Sequence, residues 1–309
     1  MTNILIASFY KFVEITDPVA LRADLLSCCE QRAVKGTLLL AREGVNGAIS
    51  GPPDQVEAVF AYLRDDSRFA DLSYQASFAE NMPFYRLKVR LKQEIIRMGI
   101  PDLDPSQNAG QYVTPHQWNE LLEDPEVIVI DARNDYEVAL GHFTGAVNPQ
   151  TKSFSELPQW LASQTSLRHQ PKVAMYCTGG IRCEKSTAFL RSQGLEEVYH
   201  LQGGILNYLN TVAAAESHWQ GECFVFDERV SVVHGLEQGH YDLCRACRNP
   251  ISSADQQSDL FVLGVSCPHC YGSKTPQQSQ RLLERQHQIE LARSRNQPHI
   301  GARYSHRPQ

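Results

Sequence analysis

Between residues 85 and 92 the chain reads Tyr-Arg-Leu-Lys-Val-Arg-Leu-Lys, a two-residue alternation of polar and apolar side chains. A strand sorts such a pattern, placing Leu87, Val89 and Leu91 on one face and Arg86, Lys88, Arg90 and Lys92 on the other. Upstream, residues 4–13 read as another strand, and residues 18–32 carry apolar positions at helical spacing. Asp17 is placed to cap that helix and Pro18 to occupy its first position. Residues 36–41 and 47–50 read as two strands joined by a turn rich in Gly and Asn, 53–63 as a second helix, and 84–93 as a long final strand.

That β-α-β-β-α-β order predicts a ferredoxin-like α/β sandwich over residues 1–97. Residues 98–111 hold two prolines and two glycines without periodicity and read as a linker. Residues 112–215 form the next segment. From residue 216 the character changes: 222–234 suggest strands, and cysteines then cluster up to residue 275. Residues 276–309 read as a tail, with a polar helix near 277–295 and a disordered end. From residue 271 onward there are seven Lys or Arg against two Glu.

The sharpest chemical signal is Cys177-Thr-Gly-Gly-Ile-Arg-Cys183, which follows the apolar run 173–176 and precedes a helix start. A cysteine at a strand end, a glycine-rich loop and a helix N-terminus together form an anion cradle, since the N–H groups point at whatever the sulfur carries. The same field favours the thiolate. Cys177 is therefore the candidate nucleophile, Arg182 its charged partner, and Gly179 and Gly180 the loop residues that let the backbone close around it. Arg182 lies five residues after Cys177. A loop that wraps a phosphate ester needs one residue more, and here that position is Cys183. The shorter loop suits the terminal sulfur of a persulfide.

Around this loop stand Asp131-Ala-Arg133, Glu137, Gly141-His142-Phe-Thr-Gly-Ala-Val-Asn148 and, downstream, Leu201-Gln-Gly203-Gly204. With the cysteine loop, this set resembles the rhodanese domain. The resemblance implies a parallel α/β sheet with Cys177 as the persulfide-forming residue. It casts Asp131 and Arg133 as an ion pair that fixes the loop, His142 as a packing or turn-capping residue, and Gly203 and Gly204 as a tight turn. The run 176–185, the segment 224–230, the late cysteines and the N-terminal extension resemble, more narrowly, the bacterial tRNA uridine hydroxylases. That likeness implies oxygen-dependent 5-hydroxylation of the wobble uridine of tRNA, the first step toward 5-carboxymethoxy- or 5-methoxyuridine, with molecular oxygen as co-substrate and tRNA as partner.

Cys244 and Cys247, and Cys267 and Cys270, form two C-x2-C hooks with nineteen residues between them. Four such cysteines match a tetrahedral structural zinc site, and so small and polar a segment has little core of its own. Reduced thiols or two disulfides are the alternatives. Cys28, Cys29 and Cys223 read as buried structural residues. Nine cysteines and no visible secretory signal fit a reducing cytoplasm, and no run of eighteen apolar residues predicts a membrane span. The formal net charge of −6 argues against indiscriminate nucleic-acid coating. Any RNA contact must be local, and the stripe Arg86, Lys88, Arg90 and Lys92 is the candidate.

Three functions compete on these residues. One is the tRNA hydroxylase, in which Cys177 either adds to uracil C6 or carries an oxygenated sulfur species. Another is a sulfurtransferase of rhodanese type, moving sulfur from thiosulfate or a persulfide. The third is a non-enzymatic tRNA-binding module with a relic loop, which the intact Cys177, Gly180 and Arg182 disfavour. No glycine fingerprint for flavin or nicotinamide is visible, nor an iron-binding triad.

Overall fold

The computed structural model describes residues 4–169 and 171–296. The chain divides into two compact units, one comprising residues up to Val225 together with Val232–Gln238, the other Phe226–Ser231 with the residues from Gly239 onward.

The first unit begins with β1 (Ile4–Phe12), α1 (Pro18–Gln31), β2 (Lys35–Ala41), β3 (Gly44–Gly51), α2 (Pro53–Arg64), β4 (Gln75–Ala79) and β5 (Leu87–Leu91). The sheet order is β4-β1-β3-β2-β5. β1 pairs antiparallel with β3 and β4, β2 antiparallel with β3, and β5 parallel with β2. The inner face buries Leu25, Leu38, Val59, Phe60 and Phe69 in one cluster, with Cys28 and Cys29 among them. The ferredoxin-like arrangement is present, but its fourth strand is β4, which the sequence did not disclose. Gln75-Ala-Ser-Phe-Ala lies at an edge with no buried residue, so its alternation is faint. The basic strand is instead a fifth, shorter strand on the opposite edge. Asp17 stands at the N-cap of α1, where its carbonyl accepts from Leu21 N–H at 3.1 Å, but its carboxylate accepts from Arg68 at 2.5 Å rather than from the helix backbone.

The chain continues through α3 (Pro105–Asn108), β6 (Gln111–Val113), α4 (Pro115–Glu123), β7 (Val127–Asp131), α5 (Asp135–Val138), β8 (Gly141–Phe143), α6 (Leu157–Ser163), β9 (Lys172–Tyr176), α7 (Ile181–Ser192), β10 (Val198–Leu201) and α8 (Gly204–Thr211). β6-β10-β9-β7 form a parallel sheet. Both faces are covered, as a parallel sheet requires. Trp118, Phe143, Tyr208 and Trp219 pack on one side, and Met98, Phe154, Leu161 and Leu190 on the other. The 98–111 stretch is thus more than a spacer: Met98 is core, α3 is capped by Asp104, and Gln111 opens β6.

In the second unit, Asp242–Leu243 pairs with Pro250–Ile251, and a short helix, Ser253–Gln257, follows. A helix over Pro276–Ser294 starts at a Thr275–Gln278 capping box and buries none of its residues, which suits its polar sequence. The final residues, read as a disordered end, lie outside the described residues from 297 onward. Among the described residues no helix is long and apolar enough to cross a membrane.

Candidate active site

β9 ends at Tyr176, and Cys177 lies at the base of the turn into α7, 1% exposed. The turn works by sorting its backbone polarity. The carbonyls of Cys177 and Thr178 face α8, where the N–H groups of Ile205 and Leu206 donate to them at 3.0 and 3.1 Å. The sulfur faces the turn's own N–H side, where Gly180 N–H donates to Cys177 Sγ at 3.1 Å. Gly204 makes this approach possible. Its φ is +64°, and a Cβ there would lie 2.4 Å from the Cys177 carbonyl oxygen.

Burial acts against the Cys177 thiolate. A hydrogen bond from the Cys183 thiol, the Arg182 charge and the backbone N–H groups of Cys183 and Arg182 outweigh it, lowering the thiol to about 6. Cys183 moves the opposite way: burial and the neighbouring Cys177 sulfur push its thiol well above the ordinary value. At neutral pH Cys177 is a thiolate and Cys183 a thiol that donates to it. Cys183 thus fills, with a hydrogen-bond donor, the position that an arginine takes in the longer loop.

Arg182 is held by a residue whose role the sequence did not disclose. Its guanidinium donates through both terminal nitrogens to the two Glu137 carboxylate oxygens, each at 2.7 Å. Burial would raise the Glu137 carboxyl, but the Arg182 charge and bonds hold it below the ordinary carboxylate value. Arg182, expected beside Cys177 as a catalytic residue, is thus fixed by a buried bidentate pair. Asp131 and Arg133 form a second such pair, Nη2 to Oδ2 2.6 Å. Arg133 also donates to the Glu137 and Gly141 carbonyls and lies over the Trp219 ring. It ties β7 to the turn that carries Glu137. His142 does not pack inward; it is exposed on β8.

Two further clusters form around Glu184 and Lys185, on α7 just after the loop. Tyr10, from β1, and Tyr112, from β6, both donate to Glu184 Oε1, Tyr10 at 2.7 Å. Lys185, 3% exposed in its side chain, pairs with Glu43 at 2.8 Å and Glu94 at 2.7 Å. The sequence held one clue to them: charged residues, Glu184-Lys185, follow a reactive loop inside a helix buried almost throughout its first two turns.

Cys244, Cys247, Cys267 and Cys270 come together in the second unit, all four sulfurs within 4.8 Å of one another. The Cys244–Cys270, Cys247–Cys267 and Cys267–Cys270 sulfur separations are 3.9, 3.7 and 3.8 Å. All nine cysteines are free. Sulfurs about 2.3 Å from a tetrahedral ion stand roughly 3.8 Å apart, so the set can hold a metal ion as it stands. Arg86, Lys88, Arg90 and Lys92 are all exposed along β5, away from buried Val89.

Residues 4–95 match the model of a UPF0176 acylphosphatase like domain, and residues 114–211 that of a rhodanese-like domain. A protein of Acaryochloris marina named tRNA uridine(34) hydroxylase is 62% identical over 309 residues, covering 100% of both chains. The chain belongs to the tRNA uridine(34) hydroxylase family. Relatives of the same name from Albidiferax ferrireducens and Agrobacterium fabrum are 58% and 54% identical, covering 98% and 97% of this chain and 96% and 95% of their own. The cysteine loop, the two buried ion pairs and the four-cysteine cluster described above are thus features of one member of this hydroxylase family.

Proposed function

We propose that this chain hydroxylates C5 of uridine 34 in tRNA, with molecular oxygen as co-substrate and the Cys177 thiolate as the reacting group. The observation that carries the reading is a cysteine held as thiolate in a cradle of N–H groups, in a chain that belongs to the tRNA uridine(34) hydroxylase family. Uracil C5 is a poor nucleophile until a group adds at C6, and a buried thiolate is suited to that addition. The exposed stripe Arg86, Lys88, Arg90 and Lys92 serves as a tRNA backbone contact. Its side chains recur about every 6.6 Å along β5, close to the spacing of successive phosphates. The four-cysteine cluster holds a structural zinc ion; its all-thiolate set and tetrahedral edges favour zinc over harder cations. The protein works in the cytoplasm, where tRNA is the available substrate.

The test is nucleoside mass spectrometry of tRNA from cells lacking the gene, complemented with the wild-type chain or with Cys177→Ser. Wobble 5-oxyuridine derivatives should disappear in the deletion, return with the wild type and stay absent with the variant. Full restoration by Cys177→Ser removes the thiolate from the reaction. Unchanged nucleosides combined with lost thiosulfate–cyanide sulfur transfer would make the chain a sulfurtransferase instead.

A further inference from the structure

Tyr10, Glu184 and Tyr112 converge on one carboxylate oxygen at the edge of the cysteine loop, and neither buried ion pair uses them. Tyr10 comes from the N-terminal sheet, yet its hydroxyl lies against the loop: a Cβ on Gly180 would sit 2.9 Å from it. Tyr112 is 48% exposed, so the opposite end of the group opens to solvent. Glu184, 8% exposed, lies between them with Oε1 accepting from both phenols. A buried carboxylate bridging a phenol at a reactive loop and a phenol at the surface is a path for a proton.

We propose that Tyr10, Glu184 and Tyr112 form a proton relay that accepts the hydrogen lost from uracil C5. The proposal rests on the hydroxylase reading above and commits Cys177 to a covalent adduct at C6. Once C5 carries both its hydrogen and the new oxygen, the hydrogen leaves as a proton to Tyr10 Oη. The Tyr10 proton passes to Glu184 Oε1. The C5–H electron pair re-forms the C5=C6 bond, the C6–S bond breaks, and Cys177 leaves as thiolate. No electrons are gained or lost in this step. The Tyr112 hydroxyl then turns from Glu184, gives its own proton to water and takes up the proton on Glu184 Oε1, which restores the carboxylate and the phenol.

The surrounding groups suit this task. Burial raises the Glu184 carboxyl above the ordinary value and the Cys177 charge adds to it, while the two phenol bonds oppose them. Burial and the Glu184 charge keep Tyr10 a phenol. His200, from β10, packs at a tilt against Tyr112 with ring centroids 4.1 Å apart, and burial lowers it to about 4, so it brings no charge. On α7, Cys183 is a neutral thiol, and Lys185 is engaged by Glu43 and Glu94.

The experiment isolates the proton step from oxygen. Full-length protein and tRNA are mixed in D2O without oxygen, and exchange of the uridine 34 C5 hydrogen for deuterium is followed by mass spectrometry. Addition of Cys177 at C6, protonation at C5 and reversal should label this position in the wild type. Glu184→Gln and Tyr10→Phe should slow exchange by about 10²–10⁴-fold, the range for loss of an acid–base group, while tRNA affinity stays as in wild type and Cys177 alkylation is slowed in neither. Tyr112→Phe should slow it less. The rising limb of the hydroxylation pH profile should change shape in Glu184→Gln, whereas a purely supporting carboxylate would lower the whole profile evenly. Wild-type exchange rates in both Glu184→Gln and Tyr10→Phe, or a wild type that hydroxylates without any exchange, overturn the relay. A wild type that neither exchanges nor hydroxylates with oxygen present overturns the hydroxylase reading itself.

Discussion

Glu137 and Arg182 neutralise each other where both are buried: Arg182 without Glu137 keeps the Cys177 thiolate as its main remaining counter-charge, whereas Glu137 without Arg182 keeps the bonds from Asn134 N–H and Thr178 and the Arg133 charge. The lowering of the Cys177 thiol from 9.0 to about 6 corresponds to roughly 4 kcal/mol in favour of the thiolate. In Arg182→Met the positive contribution is lost and Glu137 remains. The pH at which Cys177 becomes half reactive should rise by at least about one unit, roughly 1.4 kcal/mol. In Glu137→Gln the guanidinium is freed to serve the sulfur alone, and the same midpoint should fall below about 6. Both variants lose stability, since breaking a buried ion pair on one side costs about 3–5 kcal/mol, or about 6–20 °C in Tm for a unit of this size. The pH dependence has a definite sign. A thiol whose folded value is depressed adds stability above its unfolded value and loses it as pH falls through the folded one. In Glu137→Gln the thiolate is Arg182's remaining counter-ion, so the deficit in Tm should be larger at pH 5 than at pH 8. The assay is iodoacetamide labelling of the Cys177 peptide across pH, read by mass, beside thermal unfolding at both pH values. Midpoints that move the same way in the two variants would refute the assignment of Arg182 as the shared partner.

Zinc should copurify at about one equivalent, with Zn–S distances of roughly 2.3 Å by X-ray absorption; Cys267→Ser should lose it, and a folded, active, metal-free protein refutes the site. Lys88→Gln combined with Arg90→Gln should weaken tRNA binding and flatten its log–log salt slope by about 1.4–1.8, at 0.7–0.9 per phosphate contact, with the rate at saturating tRNA unchanged; equal slopes would make the stripe merely solvated. Gly204→Ala puts a methyl against the Cys177 carbonyl at positive φ. It should cost at least about 1–2 kcal/mol from the backbone alone and slow Cys177 labelling, and a wild-type Tm would contradict the tight approach.

The reactive loop was legible because its chemistry is local: strand end, glycines and helix start lie within a dozen residues. Asp131 and Arg133 were expected to pair only because the rhodanese resemblance implied it, and the two do pair at the end of β7. Glu137 stood in view without a role, since its partner is forty-five residues away and only the parallel sheet brings them together. Tyr10 and Tyr112 were invisible, because nothing in a strand's alternation tells which tyrosine meets a carboxylate 174 or 72 residues away in the chain. Strand β4 was missed for a different reason: an edge strand with little burial has little pattern to show. The long alternation at 85–92 was correctly a strand, but pairing order is decided by neighbours, and it took the outer place beside β2.

Lys185 has a consequence for how portable this loop is. Its ammonium is enclosed by Glu43, Glu94 and the Ile96 carbonyl, all contributed by residues before the parallel domain, and its neighbour Glu184 takes a bond from Tyr10. The helix that cradles Cys177 therefore has its charges balanced by another part of the chain. Residues 112–215 excised as a free-standing piece would leave Lys185 without Glu43, Glu94 and the Ile96 carbonyl, and the loop grafted onto a solitary rhodanese would lack Tyr10. The cysteine loop is not a detachable cassette: the N-terminal sandwich and the parallel sheet are obliged to change together, and an insertion near Glu94 would be felt at the sulfur.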